Sequence, residues 1–103
     1  MDKNKFQANL KDKVVLVDFG ASWCAPCRAM EPCIKGMIQQ YEGKALIIEI
    51  NIDEQGALAT DYSVQSIPTL IIFDDGREVK RLVGLQSVET IEQSLNEVLK
   101  NKS

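Results

Sequence analysis

Val14-Val15-Leu16-Val17-Asp18-Phe19-Gly20-Ala21-Ser22-Trp23-Cys24-Ala25-Pro26-Cys27 decides how this chain folds. Val14 to Phe19 is short, rich in β-branched residues and almost wholly apolar, as expected of a strand covered on both faces. Beyond it the period changes. Cys27, Met30, Ile34, Met37, Ile38 and Tyr41 recur at steps of three and four, which makes them one stripe of a helix ending near Gly43. Cys24 therefore falls at a strand-to-helix junction, with Cys27 one turn inside. Three residues along a helix separate α-carbons by about 5 Å, within the window of roughly 4.4–6.8 Å that a disulfide accepts. The two sulfurs can bond with little movement. Unpaired N–H groups and the positive dipole end stabilise a thiolate at a helix N-terminus, so Cys24 is the expected attacking sulfur. Cys27, on the apolar stripe, is expected to be shielded and to act second, as the thiol that breaks a mixed disulfide at Cys24. Pro26 suits the first helical turn, where its missing N–H costs nothing, and it stiffens the loop between the sulfurs.

Outward from this stretch, apolar segments of two periods alternate to both ends without repeat or linker. This pattern predicts one α/β domain over residues 1–103. Ala45 to Ile52 is a second nearly continuous apolar run and, like Val14 to Phe19, is read as a central strand. Pro32 lies inside the helix between them and predicts a kink. Glu54 to Tyr62 reads as a short helix with Ala57, Leu58 and Tyr62 inward. Thr69 to Phe73 and Glu78 to Val83 are strands joined at Asp74-Asp75-Gly76, a hairpin signal. Ser87 can cap a last helix whose apolar face is Val88, Ile91, Leu95, Val98 and Leu99, with Glu89 near its positive end.

The bulk numbers narrow the function. With 103 residues, 45% of them hydrophobic, the chain can bury roughly 60–70% of its unfolded surface and needs no disulfide or metal staple. Its 12 basic and 15 acidic residues give a net charge of −3 without a Lys/Arg block, which argues against a nucleic-acid partner. No segment approaches a membrane span, and Met1 to Val14 lacks the apolar run of a secretory signal. A reducing cytoplasm is the expected address, where Cys24, Cys27 and Cys33 rest as thiols. A bare C-x-x-C is also compatible with half a zinc site or with inert core cysteines. No second C-x-x-C and no histidine is present to complete a tetrahedral metal site, so no metal or bound cofactor is expected.

Val17-Asp18-Phe19, Ala21-Ser22-Trp23-Cys24-Ala25-Pro26-Cys27, Asn51-Ile52-Asp53, Ser66-Ile67-Pro68-Thr69 and Asp75-Gly76 occur in the order and spacing of the thioredoxin pattern. Over about residues 4–101 the chain resembles that family, for which C-x-x-C beside a βαβ pattern is a signature. The resemblance implies a thioredoxin fold, reduction of protein disulfides through Cys24 and Cys27, and an electron supply from a thioredoxin reductase-like partner. It also implies a cis Ile67-Pro68 bond beside the cysteines, with the Ile67 backbone pairing to an extended substrate segment.

Four departures from the pattern stand out. Ala25 replaces a usual glycine between the sulfurs. Gly20 replaces an aromatic residue common at that place, which predicts open space beside the loop. Glu49 stands where many members carry a lysine near the buried aspartate matching Asp18. If both carboxyls point inward, burial and like charge raise the Asp18 pKa and favour an acid able to exchange a proton with Cys27; if Glu49 turns to solvent, Asp18 is simply hydrogen-bonded. Finally, the segment before Val14 has room for a helix around Asn4 to Leu10 but not for the family's first strand. A mixed sheet of about four strands flanked by four helices is expected, with an exposed edge at Ala45 to Ile52 that permits weak self-association of a monomer.

Around the pair, Asp18 interrupts an apolar strand, where a charged group is seldom placed for stability. Trp23 reads either as a surface recognition ring or as an aromatic filling the helix–strand corner. Gly84 either lines the groove beside Ile67 and Pro68 or is an ordinary turn glycine. Trp23, Ala25, Ile67, Pro68 and Gly84 are the candidate substrate contacts; Cys24, Cys27, Asp18 and Pro26 are the candidate catalytic residues. Cys33 lies about 9 Å of helical rise beyond Cys27 and cannot bridge to it. The leading function is a disulfide reductase. The alternatives are a binding module using the same groove with redox chemistry secondary, and a specialised oxidant with the same motifs.

Overall fold

The computed structural model describes residues 2–101. Its elements run α1 (Lys3–Leu10), β1 (Val14–Gly20), α2 (Ala25–Gln40), β2 (Leu46–Asn51), α3 (Gly56–Asp61), β3 (Thr69–Asp74), β4 (Arg77–Val83) and α4 (Val88–Asn101). The strands form one mixed sheet in the order β2-β1-β3-β4. β1 and β2 are parallel, and the other two pairings are antiparallel. This is the expected sheet of four strands and four helices.

Strand alternation builds two cores on this sheet. Val14 and Leu16 of β1, with Ile47, Leu70 and Ile72, pack under Met30, Ile34 and Met37 of α2 and Ile91 and Leu95 of α4. Val15, Val17 and Phe19 point the other way, meeting Phe6 and Leu10 of α1 and Leu58 and Ala59 of α3. On that second face the Phe6 and Phe73 rings stand edge to face at 6.4 Å. Residues 18 and 20 continue the row of Val14 and Leu16, so the alternation delivers Asp18 and Gly20 to the α2 side.

Local chemistry ends the elements where the sequence signals lie. Asp2 caps α1 by accepting from the Lys5 N–H at 2.8 Å, and Ser87 Oγ accepts from the Thr90 N–H at the start of α4. Asp75 (φ 52°) and Gly76 (φ 84°) both take positive φ, as a two-residue I′ hairpin turn requires. Asp75 also ties this turn to the α1–β1 connection, accepting from the Asp12 N–H and donating its own N–H to Lys13 O.

β2 is the edge strand, as the four-strand expectation with its exposed edge at Ala45 to Ile52 requires; what needs correction is the reading of its apolar run as central, along with some details of the helices. A continuous apolar run reports cover on both faces, and Ile47 and Ile50 are indeed buried on opposite faces, but it says nothing about lateral neighbours. α3 is shorter than 54–62, because Asn51 O accepts from both Glu54 N and Gln55 N and holds that stretch in turns; within α3, Ala57 is exposed while Leu58 and Ala59 are buried. Ile38 faces solvent instead of joining the α2 stripe. Pro32 lies on the exposed side of α2, and the helix continues through it to Gln40.

Candidate active site

At the C-terminal end of β1 the chain turns through residues 21–23 and enters α2 with Cys24 as its N-cap. Cys24 Sγ accepts the backbone N–H of Cys27 at 3.3 Å, the capping bond a serine oxygen makes elsewhere. A helix N-terminus stabilises negative charge on such an atom. Pro26 occupies the first turn, where no intrahelical donor is lost. Across the groove the Ile67-Pro68 bond is cis, and Ile67 O stands 3.9 Å from Cys24 Sγ. Gly84 donates its N–H to Pro68 O at 2.8 Å from a φ of +87°, a conformation that favours glycine.

The two sulfurs differ in surroundings, and not in the way periodicity suggested. Cys24 is only 6% exposed, whereas Cys27, expected to be shielded, is half-buried and borders a cleft. Gly20 explains this. A Cβ there would crowd Cys27, 3.2 Å from its Sγ, and lie 3.9 Å from Asp18 Oδ1, and beside the bare glycine a cleft of about 250 Å³ has Asp18, Gly20 and Cys27 in its wall. Even so, desolvation first and hydrogen bonding with the Cys24 sulfur second push the Cys27 thiol up to about 11. It remains protonated at neutral pH.

Asp18 Oδ1 is buried without a hydrogen-bond partner among the described residues. Burial first, then the Glu49 and Glu31 carboxylates, raise its pKa to about 6. The parallel register sets Asp18 beside Glu49. Neither reading of Glu49 holds whole: its charge reaches Asp18 as the first requires, and its Oε1 pairs with Lys35 Nζ at 2.8 Å toward solvent as in the second, yet Asp18 Oδ1 is not hydrogen-bonded among the described residues. Lys35 thus stands near the place the sequence denies to a lysine on β2, but it neutralises Glu49 rather than Asp18.

Trp23 is 65% exposed, with its indole Nε1 donating to Asp53 Oδ2 at 2.8 Å. The ring is a surface feature held at a fixed angle, not a corner filler. Val83 and Leu85, 54% and 63% exposed, flank Gly84. Sequence reading passed over these two, over the Asp53 tether, and over Glu31. Only Glu31 left a usable signal, since it lies four residues, about one helical turn, beyond Cys27. Cys33 packs toward the α2–α4 core with its Sγ 4.0 Å from Met37 Sδ, apart from the pair.

The thioredoxin family model matches residues 1–97. The chain belongs to the thioredoxin family. It is 43% identical over 98 residues to thioredoxin of Alicyclobacillus acidocaldarius subsp. acidocaldarius, covering 95% of this chain and 93% of that one. Thioredoxin of Staphylococcus aureus is 42% identical over 94 residues, with 91% and 90% covered. Among solved structures, a mutant thioredoxin from Halobacterium salinarum NRC-1 superposes with a TM-score of 0.84 at 34% identity, covering 94% of this chain and 85% of that one. Fasciola hepatica thioredoxin gives 0.82 at 26% identity, with 91% and 88% covered. With its Cys24–Cys27 pair at the family's active-site spacing, this family member is a disulfide oxidoreductase.

Carboxyl-carbon NMR is expected to give an Asp18 midpoint near 6. In Glu49→Gln the midpoint should fall yet stay above the ordinary aspartate value of 3.8, because desolvation is the larger cause; an unmoved curve would remove Glu49 from the account. Stability carries the same information. A carboxyl whose folded pKa is raised favours the native state below its unfolded pKa, and that contribution is lost as pH rises through the folded pKa. Asp18→Asn should therefore change stability little at pH 3 and raise it above pH 6, on the order of 1–3 kcal/mol. Urea melts at the two pH values check the sign.

Proposed function

We propose that this protein reduces disulfides in other proteins, with Cys24 as the attacking sulfur and Cys27 as the resolving one. The observation that carries the reading is the asymmetry at the start of α2. Cys24 Sγ holds the Cys27 N–H at the helix N-cap, while the Cys27 thiol is kept protonated.

A Cys24 thiolate attacks a client disulfide sulfur, forming a mixed disulfide and expelling the client's other sulfur as thiolate. The Cys27 thiol then gives its proton to the Asp18 carboxylate, whose pKa near 6 leaves it mostly ionised at neutral pH yet more basic than an ordinary carboxylate. The resulting Cys27 thiolate attacks Cys24 Sγ, closes the intramolecular disulfide and releases the reduced client. A reductase-like protein donor restores the dithiol. Pro26 fixes the approach of the two sulfurs. The client's extended segment lies along Ile67 and Pro68, past Gly84, with Trp23 and Ala25 on the other rim. The working setting is a reducing, cytoplasmic one, with no metal, cofactor or nucleic acid required. The exposed rim of Trp23, Val83 and Leu85 also suits a second reading, a binding surface whose redox chemistry is secondary.

Insulin-disulfide reduction with candidate reductases supplied one at a time tests catalysis and electron source together. Cys24→Ser should abolish turnover, Cys27→Ser should accumulate mixed disulfides at Cys24, and Cys33→Ser should keep wild-type turnover. Client binding and function retained in Cys24→Ser/Cys27→Ser would favour the binding reading instead, and equilibration with a glutathione series separates reductant from oxidant. We further propose that the working unit is a monomer, with self-association confined to the outer edge of β2. Sedimentation velocity should show a coefficient independent of concentration in the micromolar range; growth with concentration that Leu46→Lys, at an exposed position of β2, suppresses would place a dimer at that edge.

A further inference from the structure

Attack on a disulfide needs an approachable sulfur and a partner sulfur that departs readily as thiolate. The structure holds the pair as free thiols; carried over to the disulfide, its geometry meets the two needs with different cysteines. Cys24, at the helix N-cap with an N–H directed at its sulfur, is the better leaving thiolate, so chemistry favours attack on Cys27. A side chain at residue 20 would obstruct that approach, since its Cβ alone would come within 3.2 Å of Cys27 Sγ. Here residue 20 is glycine, Cys27 is the more exposed cysteine, and a cleft of about 250 Å³ opens beside it. This is smaller than the roughly 300–1,000 Å³ pockets that take drug-sized ligands. Glu31, Glu49, Glu54 and Asp18 line the cleft against Arg28 as its one basic lining residue among those described, and Lys35 pairs with Glu49 from outside.

We propose that the Gly20 cleft is a second entrance to the redox centre, admitting a small cationic thiol to the Cys27 sulfur of the oxidised protein. The inference rests on the reading of Cys24 and Cys27 as a dithiol–disulfide couple. The thiolate of an aminothiol bonds to Cys27 Sγ, the Cys24–Cys27 bond breaks, and the electron pair leaves on Cys24. A second aminothiol attacks the first one's sulfur, releasing the small disulfide and Cys27. Two aminothiols are oxidised to one disulfide, and their two thiol protons end, through solvent, on Cys24 and Cys27. The protein is thereby reduced without a reductase, through a face that the client groove does not use.

The test reduces the oxidised protein with cysteamine, 2-mercaptoethanol and 2-mercaptoethanesulfonate, following Trp23 fluorescence. Each rate is normalised to the same thiol's rate with a free aromatic disulfide. Cysteamine should lead the sulfonate by about tenfold or more at low ionic strength, within the 10–10³ range of electrostatic focusing, and salt should shrink the gap. Acid quenching and peptide mapping should place the first cysteamine adduct on Cys27. Gly20→Trp, checked by circular dichroism, should slow cysteamine and erase the charge order; should that variant not fold, Glu31→Gln/Glu54→Gln should narrow the charge order by itself. Adducts on Cys24, equal normalised rates, or an unchanged order in folded Gly20→Trp or in the glutamine variant would overturn the side entrance. Failure of wild-type insulin reduction would sink the parent reading instead. Normal insulin reduction with adducts on Cys24 would sink only this inference.

Discussion

The pleat of β1 is the constraint on which the rest of this molecule depends. Because successive side chains alternate between faces, Val15, Val17 and Phe19 are committed to the α1–α3 core, while Val14 and Leu16 are committed to the α2–α4 core. Asp18 and Gly20 then have no freedom of placement. They continue the α2-facing row beyond the last apolar residue and arrive beneath the first turn of α2, where Cys27 is. A one-residue slip in the pairing of β1 would send Asp18 into the aromatic core and Phe19 toward the sulfurs. Both neighbours of β1 resist it, β2 through a parallel ladder and β3 through an antiparallel one.

From that placement the electrostatics follow. A carboxyl with an unpartnered buried oxygen is costly, and in this site the cost appears as a raised pKa rather than as a stabilising bond. Glu49 and Glu31 add to the rise from two elements, β2 and α2, while Lys35 draws Glu49 outward. The opposing asymmetry sits on the sulfurs: backbone N–H stabilises charge at Cys24, and desolvation opposes it at Cys27. Buried carboxyl, protonated thiol and capped sulfur thus gather where a strand end meets a helix start rather than on a mobile loop.

Most of the architecture was legible in the residues because it is encoded locally. The change of period between Phe19 and Cys27, the Asp75-Gly76 turn and the Ser87 cap each act within a few positions of themselves. Reading failed where the answer depends on neighbours distant in sequence. The apolar run of β2 looks the same for a central strand and for an edge strand covered by helices on both faces. Ala57 and Ala59 have identical side chains, and only the docking angle of α3 buries one and exposes the other. Trp23 was ambiguous until Asp53, 30 residues away, was seen to hold its indole nitrogen.

The strand-to-helix junction, the spacing that lets Cys24 and Cys27 close, and the family pattern are readable from the residues alone, since backbone geometry and three-residue spacing need no tertiary information. Which of the two cysteines is the more open is set by packing. A helical stripe records that Cys27 faces the sheet, but not whether the sheet presents a side chain to cover it. At Gly20 it presents none, and a void is the property of a packed neighbourhood that a linear sequence records least directly.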